Sequence, residues 1–225
     1  MKRPICQQCL FPVKTCLCSY VSPLNSEFNI YILQHPLESR VSKNTARLIQ
    51  LCHHRTHIFV GENADDFNEV KTRLDNSIAD ICLVYPDKNS VVIKAPPNNL
   101  HTSLSGNASS IVEGNLKRLQ VQRAPRVLLF IDATWRKAKK MYELNPWLKR
   151  FKAIRIEGGK PSYTIRKVPD DQSYSTIEAV IYAIRAFSNE STKPLVDLFF
   201  KMQEMQMKHM SSEVKERYSK RSLSS

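Results

Sequence analysis

Two sets of side chains in this sequence have the types and spacing that chemistry needs. The first is Asp132-Ala133-Thr134-Trp135, which follows the apolar run Val127-Leu128-Leu129-Phe130-Ile131 and precedes the basic segment Arg136-Lys137-Ala138-Lys139-Lys140-Met141. A carboxylate at the carboxyl end of a buried strand, facing the start of a helix, lies where open α/β sheets bind their ligands. Beside a polycation, it points to chemistry carried out on a nucleic acid. The second set is Cys6-x2-Cys9-x6-Cys16-x-Cys18. Four thiols within so short a stretch match tetrahedral structural zinc, a site that four protein ligands close to catalysis. A redox disulfide cluster or unconnected thiols are the alternatives. Cys52 and Cys82 sit in apolar surroundings and are expected as small core residues.

The charge is unevenly placed. Of the net +13, the window Arg136–Lys167 carries 11 Lys or Arg against Glu143 and Glu157. The same window holds Tyr142, Trp147, Phe151 and Tyr163, rings expected to be available for stacking on an exposed base. A solvated basic face is the alternative. Only five glycines occur, with neither a G-x-G-x-x-G nor a G-x-x-x-x-G-K-[ST] sequence, so a nucleotide-like cofactor must be held in another way.

The elements that must position these groups alternate between strand and helix. Phe28–Leu33, His57–Val60, Ile81–Tyr85, Val91–Ile93, Val127–Ile131 and Ala153–Ile156 read as strands. Helices are expected from a cap at Ser42 or Asn44 through Cys52, over Ala64–Asn76, near Ile111–Gln120, and over the basic segment after Asp132 up to Pro146. Ser175-Thr176-Ile177-Glu178 has the form of a capping box that opens a further helix through Ile184. The pattern predicts an α/β fold with a mainly parallel sheet flanked by helices. A four-cysteine zinc knuckle is expected over residues 1–22, the catalytic domain over 23–190, and a helical, Met-rich basic tail over 191–225. The 225 residues and their 42% hydrophobic content suit one α/β domain with small appendages. No apolar run approaches the roughly 20 residues of a membrane span, and no apolar signal region follows the first charges, so a cytoplasmic protein without a membrane partner is expected.

These residues together resemble the DTW-domain family, named for its Asp-x-Thr-Trp motif. The likeness rests on the four cysteines, on Leu33-Gln34-His35-Pro36 followed by Asn44-Thr45-Ala46-Arg47-Leu48, and on Tyr85-Pro86. It continues through Asp132–Ala138, Tyr163-x-Ile165-Arg166-Lys167 and Ser175-Thr176-Ile177-Glu178-Ala179. The resemblance implies a tRNA-uridine aminocarboxypropyltransferase, which moves the 3-amino-3-carboxypropyl chain of S-adenosylmethionine onto N3 of a uridine and releases methylthioadenosine. It further implies a SPOUT-like fold with a C-terminal trefoil knot whose loops bind the cofactor. SPOUT relatives are often dimers, while members with extra RNA-binding elements can act alone, so monomer and homodimer both stay open. The expected partner is tRNA and not DNA.

On this likeness Leu33, His35, Asn44, Pro86, Asp132, Thr134, Trp135, Ser175, Thr176 and Glu178 are expected around the cofactor. Asp132 is the expected base for the N3 proton; a helix cap or loop brace, or a grip on the α-amino group of the migrating chain, are its other roles. Capping alone would explain Thr134, Ser175, Thr176 and Glu178, and core packing would explain Trp135. His35 and Asn44 follow the first strand, and loop bracing would account for each. Arg136, Lys137, Lys140, Arg166 and Lys167 are expected on RNA phosphates, with a grip on the cofactor's carboxylate or a merely exposed basic loop as the alternatives for Arg166 and Lys167. His53 and His54 are expected at the surface. Transfer to rRNA, SPOUT-type RNA methylation, and a non-catalytic zinc-knuckle RNA-binding protein are the rival readings.

Overall fold

A run such as Val127–Phe130, apolar at every position, can only be satisfied by cover on both faces, as in a parallel strand inside a sheet. The computed structural model, which describes residues 4–39, 41, 43–74, 80–95, 100, 108–158, 161–163, 174–210 and 213, puts it there. Six strands form one sheet: β1 (Asn29–Gln34), β2 (Thr56–Val60), β3 (Ile81–Val84), β4 (Val91–Lys94), β5 (Val127–Asp132) and β6 (Lys152–Glu157). Their order is β2-β1-β5-β3-β6-β4, and every pairing is parallel. All carboxyl ends therefore lie along one edge of the sheet. The first strand pair lies to one side of β5 and the remaining strands to the other, so the carboxyl end of β5 is the point where the winding reverses.

The helices are α1 (Pro36–Ser39), α2 (Ala46–Cys52), α3 (Asn68–Leu74), α4 (Ala108–Leu119), α5 (Trp135–Leu144), α6 (Thr176–Phe187) and α7 (Lys193–Lys208). They cover the sheet in two layers, and the two-residue period of β5 separates them. Leu128 and Phe130 face the layer of α2, α4, α6 and α7, whereas Val127 and Leu129 face α3, α5 and Phe151. Helix α6 is apolar nearly all round and buried along almost its whole length, as a helix enclosed by neighbours must be. The expected helical tail is part of the same core: Leu195, Leu198, Phe199 and Met202 of α7 are buried against it. So are Cys9, Phe11 and Leu17 of the cysteine-rich segment. Among the described residues no helix is long and apolar enough to cross a membrane.

Two expectations are corrected. The rings of Tyr142, Phe151 and Tyr163 are buried and unavailable for stacking on a base. Trp147 packs against Phe67 and Phe151 and donates its indole N–H to Asn145 Oδ1 at 2.9 Å. The charge of the window lies on a surface whose aromatics turn inward to fill the core, because burying a ring stabilises more than exposing it. His53 is likewise no surface residue: it is buried, with Nδ1 3.0 Å from Thr56 Oγ1 and Nε2 3.1 Å from Ser26 O. Burial pushes its pKa below the ordinary value. His54 is exposed.

Strand β4 ends the sheet, and its outer edge would leave backbone groups unpaired. Buried Asn115 of α4 covers that edge. Its Oδ1 accepts from Lys94 N at 2.9 Å, and its Nδ2 donates to Lys94 O and Ala186 O, both at 2.9 Å. Removing the amide leaves three backbone groups without this partner, one buried and two part-buried, at roughly 1–3 kcal/mol each before relaxation. Asn115→Ala is expected to lower unfolding free energy in urea by about 3 kcal/mol or more; a loss under about 1 kcal/mol would show that water replaces the amide.

Candidate active site

The carboxyl end of β5 carries Asp132 into a two-residue turn, after which α5 begins at Trp135. Gln34 is its register partner on β1. Gln34 Nε2 donates to Asp132 Oδ2 at 2.7 Å, and the Thr176 hydroxyl donates to Oδ1. One carboxylate thus joins β1, β5 and the first residue of α6. The backbone follows suit, with His35 N donating to Asp132 O at 3.0 Å. Thr134 stands at the N-cap of α5 but makes no side-chain capping bond, and it is exposed.

Helix α6 is held in place by its own cap. Glu178, fully buried, accepts at Oε2 from Ser175 N at 2.7 Å and from Ser175 Oγ at 2.6 Å. Its Oε1 accepts from Ser162 N. A carboxylate is buried without penalty only when its lone pairs are used in this way. The expected capping box therefore also ties down the segment 161–163 that follows β6. Tyr163 extends the tie by donating to Lys43 O at 2.9 Å and setting its ring edge-on against Phe199.

These elements enclose a cavity of about 860 Å³ at the carboxyl edge of the sheet, a volume in the range of small-molecule sites. Tyr85 and Pro86 after β3, Ala133 and Trp135 after β5, and Tyr174 and Thr176 at the start of α6 line it. Trp135 is 46% exposed and forms one wall. Of the residues expected around a cofactor, Pro86, Trp135 and Thr176 are brought together on the lining, and Asp132 is bonded to Thr176. Ser175 and Glu178 lie buried in the cap behind it. Leu33 is a core residue of the α3–α5 layer.

His35 and Asn44 brace the chain after β1. His35 Nδ1 accepts from Leu37 N at 3.1 Å, and its Nε2 lies 3.8 Å from Glu62 Oε1. Asn44 Oδ1 accepts from Arg47 N at 3.2 Å, and its Nδ2 donates to Glu38 O at 2.8 Å. Two of the expected RNA-binding cations are tied to the same region: Lys137 Nζ is 3.2 Å from Glu38 and Lys140 Nζ 2.8 Å from Glu62. The Lys140 ammonium holds the Glu62 carboxyl below the usual range. Arg136 is exposed on α5. Arg166 and Lys167 lie outside the described residues.

The cavity also contains residues that the sequence did not single out. Lys94 on β4 and Ile154, Arg155, Glu157 and Gly158 along β6 form its far side. They come together because β6 lies beside β4, a neighbour from which some sixty residues of chain separate it. Local pattern carries no signal of that pairing.

The four clustered cysteines meet as the spacing suggests. Their sulfurs all lie within 4.8 Å of one another, with Cys6–Cys18 and Cys9–Cys16 at 3.7 Å. A tetrahedron of thiolates about 2.3 Å from zinc has edges of about 3.8 Å, so the donors fit such an ion. Backbone N–H groups of Cys9 and Gln8 hydrogen-bond the Cys6 sulfur and lower its pKa to about 6, whereas burial and the neighbouring thiols push Cys18 up to about 12. None of the six cysteines is in a disulfide.

Comparison with known proteins adds the following. The family model of the DTW domain matches residues 3–207. A mouse protein named tRNA-uridine aminocarboxypropyltransferase 2 is 26% identical over 188 residues, covering 81% of this chain and 56% of its own length. A protein of the same name from Drosophila melanogaster is 28% identical over 185 residues, covering 79% of this chain and 64% of its own. The chain thus spans less than two thirds of the curated relatives it matches. No solved structure matches it significantly.

The sulfur geometry generates a prediction. Elemental analysis is expected to find one metal ion per chain, and Cys9→Ser, which removes a buried ligand, is expected to lose it. Because Cys9, Phe11 and Leu17 belong to the main core, chelation should lower Tm by about 5 °C or more, the shift that ~2 kcal/mol produces at this size. An unchanged Tm with full metal loss would make the ion dispensable to the fold.

Proposed function

Because the chain belongs to the DTW-domain family, we propose that it transfers the 3-amino-3-carboxypropyl group of S-adenosylmethionine to N3 of a uridine in tRNA, releasing methylthioadenosine. The observation that carries this reading is the cavity. It unites Trp135 of the Asp-x-Thr-Trp motif with Thr176 of the Ser175–Ala179 motif, 41 residues on, at the carboxyl edge of a parallel sheet. The names of the relatives and the net charge of +13 support an RNA substrate. We read the fold as SPOUT-like with a C-terminal knot. The six-stranded parallel sheet flanked by helices is compatible with that fold, and the knot itself rests on the family resemblance. The four-cysteine cluster is a structural zinc knuckle on this reading.

The transfer has a simple balance. The uridine N3–H gives up its proton to water, the N3 electron pair bonds the γ-carbon, and the Cγ–S pair leaves with sulfur as a neutral thioether. The protein must choose the γ-carbon over the methyl and align it with N3. The half-exposed face of Trp135 suits a sulfonium, which an indole attracts through its quadrupole. Asp132, with both oxygens accepting hydrogen bonds, acts here by positioning: it fixes Thr176 and the turn before Trp135 relative to each other. Taking a proton would require it to surrender one of those bonds.

Mass spectrometry of nucleosides from unmodified tRNA incubated with the protein and S-adenosylmethionine is expected to show an aminocarboxypropyl uridine with methylthioadenosine released. A methyl gain, or modification of rRNA alone, would contradict the reading. Asp132→Asn is expected to slow transfer by about 10²-fold or more while the pH profile keeps its shape. A profile that loses its acidic limb would instead make Asp132 the base.

A further inference from the structure

On the β4–β6 wall of the cavity, three charged side chains alternate in sign. Glu157 Oε2 lies 3.3 Å from Lys94 Nζ, and Glu157 Oε1 lies 3.4 Å from Arg155 Nε. All three side chains are 41–53% exposed, and ion pairs that open contribute little to folding. Their backbone, by contrast, is held firmly. Lys94 and Glu157 are register partners on β4 and β6, Ala95 N donates to Glu157 O at 2.8 Å, and buried Asn115 takes both Lys94 N and Lys94 O. Gly158 then leaves β6 at φ +106°, where an added Cβ would meet Ala95 O at 3.3 Å. Charged tips on a rigid frame are what a ligand site needs and what a solvated surface does not.

The free valences have a definite pattern. Arg155 spends only Nε on Glu157, and its two Nη groups have no partner among the described residues. Lys94 Nζ has donors to spare beyond its contact with Glu157. Two cations flanking one carboxylate can receive a second carboxylate on their outer donors, while Glu157 receives an ammonium. We propose that Lys94, Arg155 and Glu157 clasp the α-amino acid end of the migrating group, the two cations taking its carboxylate and Glu157 its ammonium. This clasp rests on the proposed transfer and deepens it: it explains why the aminocarboxypropyl chain, rather than the methyl, is held for displacement. The clasp then holds the amino acid end on the β4–β6 wall of the cavity that Trp135 also lines.

Calorimetric titration of the full chain with three probes tests it: S-adenosylmethionine, its decarboxylated form, and methylthioadenosine, which lacks the whole amino acid end. Arg155→Ala and Lys94→Ala are expected to weaken S-adenosylmethionine about tenfold or more and to leave methylthioadenosine within about twofold. The decarboxylated probe should bind the unaltered protein less tightly and be insensitive to Arg155→Ala. Glu157→Gln should weaken both probes that carry the ammonium. Equal weakening of methylthioadenosine would mean that the variants only deform the cavity, and would overturn the clasp. Unchanged S-adenosylmethionine binding with weakened tRNA binding would assign the cations to RNA phosphates and also overturn it. If the unaltered protein binds none of the three probes, the transfer reading itself falls and the clasp with it.

Discussion

The arrangement of this site depends on one carboxylate shared between three elements. Asp132 ends the central strand, and its two oxygens accept from Gln34 on the neighbouring strand and from Thr176 at the first turn of α6. Parallel strands give the sheet a single carboxyl edge but do not fix what packs over it. The Asp132 bridge does, by binding the start of α6 to the two strands between which the winding reverses. Charge-assisted hydrogen bonds of this kind are the stronger ones, and a half-buried position shields them from water. The N-terminus of α6 also presents its positive dipole end to the carboxylate.

A second carboxylate completes the frame from the other side. Glu178 closes the cap of α6 and reaches Ser162, so the chain leaving β6 is held to the helix that Asp132 positions. The ion pairs Lys137–Glu38 and Lys140–Glu62 attach α5 to the segments that follow β1 and β2. Between these ties the cavity is left with one aromatic wall, Trp135, and one charged wall on β4 and β6. The cysteine-rich segment contributes at a distance. Arg47 Nη1 donates to Leu10 O and Nη2 to Ser39 O, with the guanidinium lying 5.7 Å from the Phe11 ring centroid. The four-cysteine cluster and the chain after β1 are thereby parts of one packed structure.

Much of this was legible in the sequence, for reasons of period and capping. Strands such as Val127–Ile131 and helices such as α5 declare themselves by local patterns, and the Ser175–Glu178 box names both its residues and their bonds. The four cysteines meet because short turns leave them little freedom to do otherwise. What local pattern does not carry is adjacency. Lys94, Arg155 and Glu157 read as ordinary solvent-facing charges until β6 is found beside β4. The rings of Tyr142, Phe151 and Tyr163 were misread for the same reason: a basic surface and an aromatic core share one stretch of sequence, and only packing separates them. His53 shows the converse, a polar ring buried because Thr56 and Ser26 O satisfy both its nitrogens. The hydrogen bonds of Asp132 to Gln34 and Thr176 likewise join residues 98 and 44 positions away, which no local pattern announces.

The account stands or falls on what the cavity between Trp135 and β6 holds. A crystal structure of the protein grown with S-adenosylmethionine would test this most directly. The account predicts the sulfonium against the Trp135 ring, the amino acid end toward Glu157 and Arg155, and the Asp132–Thr176 bond intact. Ligand bound elsewhere on the sheet edge, or bound here with that bond broken, would contradict it.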